Sequence, residues 1–133
     1  MTSRQNTTAE KITINLGFVD LGMIDLLVRE SVFANRTDFI RTAIRNELAR
    51  HEDIASQVKQ REAPVLGMRH LTRTELEQAR DQGEILDLVV LGLLSVDSAV
   101  DAELARSTIG SVSVLGAFHA SPDVKSALSD RFA

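Results

Sequence analysis

The stretch Lys11-Ile12-Thr13-Ile14-Asn15-Leu16 decides how the rest of this chain is read. Apolar Ile12, Ile14 and Leu16 alternate strictly with polar Lys11, Thr13 and Asn15, the period of a strand with one buried face. No second strand pattern lies nearby. Residues 1–9, rich in Thr, Ser, Asn and Gln, read as an arm without apolar periodicity.

After Gly17 the spacing becomes helical. Asp20 is the expected N-cap, and Leu21, Ile24, Leu27 and Val28 recur on one face up to about Glu30. A second helix opens at Asn35, whose side chain can cap the Asp38 N–H, with Asp38 placed where a capping-box acid reaches back. Phe39, Ile40, Ala43, Ile44 and Leu48 then form an apolar stripe, leaving Arg41, Thr42, Arg45 and Asn46 to solvent. An isolated strand exposes unpaired N–H and C=O groups, and two short helices cannot close a core over it in so few residues. Two chains pairing Lys11 to Leu16 antiparallel would solve this, with Ile12, Ile14, Leu16, Phe39, Ile40 and Ile44 as dimer core.

KITINL, the helix to Glu30 and the segment NRTDFIRTAIRNEL at 35–48 together resemble ribbon-helix-helix regulators of the MetJ, Arc and CopG type, over residues 10–51. The resemblance implies a cytoplasmic bacterial transcriptional regulator, a repressor, whose dimeric ribbon lies in the major groove of an operator carrying inverted or direct repeats. It places base reading on Lys11, Thr13 and Asn15. Lys can donate to guanine, Asn can pair with adenine, and Thr offers a hydroxyl or a methyl. It places the phosphate clamp on Asn35, Arg36 and Thr37, where free N–H groups and the helix dipole face an anion. Two positions depart from the family's habit: Ser31 and Val32 stand where Gly is common, and Gly17 stands where Pro is common.

Net charge is −4, but residues 1–52 carry seven Lys/Arg against seven Asp/Glu, so the acidity sits in the second half. Arg4 in the arm could supplement the single cation of the groove face. Cysteine is absent, which removes disulfides, thiolate metal sites and cysteine nucleophiles. No apolar run approaches the roughly 18 residues of a membrane span, and MTSRQNTTAEK has no signal-like apolar segment. A soluble, intracellular protein is expected.

Residues 52–63 read as a linker or helix extension before Pro64. Beyond it, residues 64–133 are repetitive. Val65-Leu66-Gly67, Val90-Leu91-Gly92 and Val114-Leu115-Gly116 recur at spacings of 25 and 24 residues. Each is followed by a capping residue, Thr72, Asp97 or Ser121, and a short helical segment. Ile85 to Val96 and Ile109 to Phe118 read as buried strands. The fold class is therefore α+β: an N-terminal intermolecular ribbon with helices, then a solenoid-like strand–helix repeat. The last strand should leave an apolar edge, so this half is expected to self-associate, joining dimers into tetramers.

His51, His70 and His119 are isolated in sequence, and no nucleophile elbow, paired-carboxylate site or glycine-rich phosphate loop occurs. Catalysis, metal and cofactors are not expected. Two alternatives to the repressor stay open: an antitoxin whose second half wraps a toxin protein, and an oligomeric scaffold built by the repeats.

Overall fold

The two helical spacings become α1 (Phe18–Arg29) and α2 (Arg36–Arg50). A computed structural model describes residues 9–132; the arm before Ala9, with Arg4, lies outside the described residues. The start of α1 corrects the sequence expectation. Its cap is Gly17, whose carbonyl accepts the Leu21 N–H at 3.0 Å with no side-chain cap. Asp20 lies inside the first turn, where a carboxylate favours the helix dipole. The face of α1 turned inward is nevertheless the expected one: Ile24 is buried, and Leu21, Leu27 and Val28 are half-buried.

The polar stretch after Arg50 is also helical, α3 (Glu52–Glu62). It stops at Ala63, which takes a φ of 47° and donates its N–H to Lys59 at 2.9 Å, and Pro64 follows without an N–H. The chain divides into two compact units between Gln57 and Val58, within α3.

The second unit runs β1 (Val65–Leu71), α4 (Arg73–Asp81), β2 (Leu86–Val96), α5 (Ala102–Thr108), β3 (Ile109–His119) and α6 (Pro122–Ala127). The strands form one parallel sheet in the order β1-β2-β3. The three Val-Leu-Gly triplets lie side by side in it: Val65 pairs Val90 and Val90 pairs Val114, with the leucines and glycines following in register. Each helix packs back on the same face. Leu76, Leu104, Val124 and Leu128 meet Leu71, Leu88, Val90, Leu94, Val96 and Val112 in one buried cluster. Fully burying such a side chain stabilises by about 1.5–3 kcal/mol. Thr108, buried among them, donates its hydroxyl to the Leu104 carbonyl at 2.8 Å and so leaves no unpaired donor.

Thr72 and Ser121 cap α4 and α6 as expected, accepting the N–H of Glu75 and Val124. The cap of the middle helix is Asp101, not Asp97. Asp97 still belongs to the turn that ends β2. Its N–H bonds the Leu71 carbonyl at 2.9 Å and its carboxylate accepts the Ala99 N–H at 3.2 Å, so α5 begins later. Arginines tie successive repeats together: Arg73 donates to the Ala99 carbonyl and Arg106 to the Ala127 carbonyl, each at 2.7 Å.

The strands expected to be buried are covered on one face, the face against which all three helices lie. The outer edge of β3 is also partly covered, since Phe132 bridges Val112 and the Val112 N–H bonds the Arg131 carbonyl at 2.8 Å.

The triplet glycines have a steric cause. Gly67, Gly92 and Gly116 take φ of 101°, 139° and 125°. A Cβ on Gly92 would sit 2.0 Å from the Gly67 carbonyl oxygen, and one on Gly116 2.0 Å from that of Gly92, while one on Gly67 meets nothing within 4 Å. Gly67→Ala is therefore expected to cost backbone strain alone, about 1–3 kcal/mol. Gly92→Ala should cost at least about 2 kcal/mol more, because the neighbouring backbone must move. Urea unfolding midpoints of the two variants check the difference.

Candidate nucleic-acid interface

In the first unit the geometry is set by the turn between α1 and α2. Glu30 caps α1, and the next residue, Ser31, takes a left-handed φ of 64°. Ser31 N–H bonds the Val28 carbonyl at 3.0 Å and Val32 N–H bonds the Leu27 carbonyl at 2.9 Å. This is the paired hydrogen bonding of a Schellman stop, which usually uses glycine because it demands a positive φ. Serine here does glycine's work at a strain cost. The chain then turns so that the Phe33 ring stands edge-on to Phe39, 5.1 Å between centroids.

α2 starts as its sequence requires. Asn35 Oδ1 accepts the Asp38 N–H at 2.8 Å, and the Asp38 carboxylate accepts the Ala34 N–H at 2.9 Å, one residue before the cap. Arg36 reaches back across the turn, donating from Nε and Nη2 to the two carboxylate oxygens of Asp25, each at 2.8 Å. That hydrogen-bonded guanidinium holds the Asp25 carboxyl below its ordinary value. Both groups are open to solvent, so the pair contributes orientation more than stability.

Of the expected clamp residues, Asn35 and Arg36 thus use their side chains within the unit, and Thr37 is exposed. What α2 offers an anion is its first-turn backbone N–H groups, those of Arg36 and Thr37, together with the dipole. The expected base readers Lys11, Thr13 and Asn15 are all exposed, in a segment that belongs to no helix or strand of the single chain. Ile12, Ile14 and Leu16 are exposed beside them, Phe39 and Ile40 are half-buried, and Ile44 is exposed. Arg41 and Arg45 project from α2 without an ion-pair partner among the described residues.

Sequence reasoning missed Asp25 and the special role of Ser31. Asp25 stands eleven residues from Arg36, and only the crossing of two helices joins them. Ser31 carries no residue-type signal for a left-handed turn, and the one available signal was that it stands where the resembled family commonly has Gly. Among the described residues no three His, Cys, Asp or Glu side chains gather where they could hold a metal ion.

A turn-linked helix pair behind an exposed alternating segment, with a capped N-terminus able to meet an anion, is the outline of a DNA-binding regulator. The chain belongs to the Ribbon-Helix-Helix transcriptional regulator family, whose sequence model matches residues 7–125. The match runs well past α2 and through β3, so the strand–helix repeat shares in the family pattern. No curated protein and no solved structure matches the chain.

Ser31→Gly is expected to stabilise the first unit by about 0.5–1 kcal/mol, because glycine removes the left-handed strain. A higher urea midpoint with an unchanged α-helical circular dichroism signal checks this.

Proposed function

We propose that the protein is a transcriptional repressor that dimerises through residues 11–16 and reads an operator's major groove with Lys11, Thr13 and Asn15. The observation that carries the reading is the missing core of the first unit. Ile24 is the only apolar side chain fully buried there among the described residues, while Ile12, Ile14 and Phe18 are 78%, 63% and 94% exposed. Such a unit gains stability only by sharing apolar surface. Covering Ile12, Ile14 and Leu16 in both chains supplies on the order of 10 kcal/mol before ordering entropy is subtracted.

Pairing the alternating segment with its own copy supports the rest of the reading. It satisfies the backbone of both segments, places Ile12, Ile14 and Leu16 against the four helices with Phe39, Ile40 and Ile44, and leaves Lys11, Thr13 and Asn15 on the outer face. Asn35, Arg36 and Thr37 then act as a clamp chiefly through backbone N–H groups, which fix register without reading sequence. With one cation per chain on the groove face, occupancy of repeated half-sites by adjacent dimers supplies the remaining affinity. The second unit has its own buried core, which disfavours an antitoxin tail that folds only on its toxin.

The test is retention of DNA from upstream of the protein's own gene. Thr13→Ala with Asn15→Ala is expected to lower specific affinity at least tenfold, at about 1–3 kcal/mol per lost base contact. Non-specific affinity and the dimer mass in sedimentation should hold. Unchanged sequence preference in that variant would contradict the proposal.

A further inference from the structure

The second face of the parallel sheet is the least explained surface of the second unit. Parallel sheets normally have both faces covered. Here the helices cover one, and across the middle of the other runs a row of three leucines in register, Leu66, Leu91 and Leu115, which are 61%, 38% and 63% exposed. Met68, Leu93 and Ala117 form the next row. An in-register apolar band of this kind marks an interaction surface.

The ends of the band are polar and unlike each other. At the start of the strands Asp87 accepts a hydrogen bond from the Ser111 hydroxyl at 2.8 Å. At the far end stand His70, Ser95 and His119, with His70 Nδ1 and the Ser95 hydroxyl 3.2 Å apart. Leu91 lies midway between Asp87 and Ser95 along β2. Consider a second copy laid face to face about a two-fold axis in the sheet plane, perpendicular to the strands. The leucine row then meets the partner's leucine row, and the Asp87–Ser111 end of each copy lies over the Ser95–His119 end of the other. Turning the partner so that its strands run parallel would instead stack Asp87 on Asp87. Only the first arrangement places an acceptor over donors and avoids a like-charge contact, and it does so at both ends at once.

We propose that the open face of this sheet is a self-association surface, closed by the same face of a second chain with its strands antiparallel and Leu91 near the two-fold axis. Isologous pairing suits it, since one patch complements itself. Two such faces packed about 10 Å apart exclude water from all three leucines of each copy. This interface is distinct from the strand pairing at residues 11–16, and it does not depend on DNA reading. Where both operate, two different two-fold contacts per chain join ribbon dimers into larger assemblies.

The absence of cysteine allows a direct test in the full-length protein. Leu91→Cys, treated at low micromolar concentration with a bis-maleimide of about 10 Å span, should couple two chains efficiently. Gln78→Cys, on the exposed side of α4, should couple at least fivefold less and so controls for chains merely held near each other. Adding Leu115→Glu to Leu91→Cys should abolish coupling while the circular dichroism spectrum and DNA retention persist. Asp87→Lys should lower coupling several-fold, and His119→Glu added to it should restore it. Coupling no better than with Gln78→Cys, or indifference to Leu115→Glu, would overturn the proposal. Efficient Leu91→Cys coupling in a protein that shows no specific DNA retention even without substitutions would instead count against the function assigned to the first unit.

Discussion

The structure depends first on a shortage: the first fifty residues hold more apolar side chains than one chain can cover. Ile24 is buried, but Phe18, Val19, Ile44 and Leu48 stay exposed with the three apolar residues of the 11–16 segment. Hydrophobic burial is the dominant favourable term in folding, so this surplus favours association with a further apolar surface. In the proposed dimer a second copy meets it economically, because the segment that lacks backbone partners is also the segment that alternates. The same proposed pairing would close the core and turn Lys11, Thr13 and Asn15 outward together.

The second unit solves its own core differently. Its three strands stack identical triplets, and the glycine column lets each backbone approach the next closely. The caps at Thr72, Asp101 and Ser121 start the helices that seal one face. Arg73 and Arg106 lock each repeat to the next through carbonyl oxygens. The Arg69–Glu75 ion pair joins β1 to α4 within the first repeat, and Arg69 holds the Glu75 carboxyl below its usual value. The sheet is left one-sided, which is the physical reason the unit presents a surface at all.

Much of this was legible in the residues. The triplets at Val65, Val90 and Val114 announced three equivalent strands, and they fall in register. Asn35 announced the start of α2 because its short acceptor suits only a cap or a turn. Other features depended on where neighbouring elements stop. Asp20 and Asp97 look like caps by residue type, yet Gly17 begins α1 and Asp101 begins α5. The Asp25–Arg36 pair needs two helices to cross before it exists. In the strands, near-continuous apolar runs such as Leu86–Val96 announced buried strands, and the chain's helices cover one face of them. The alternation of 11–16 was the plainest signal of all, yet among the described residues no strand pairs with it, and its proposed partner is a second copy.

That pairing can be observed most directly by isotope-filtered nuclear Overhauser spectroscopy on a mixture of labelled and unlabelled chains. Inter-chain contacts between α-protons of residues 11–16 are expected, in the alternating pattern of an antiparallel pair. A dimer whose inter-chain contacts exclude this segment, or a monomer with 11–16 unprotected, would contradict the account.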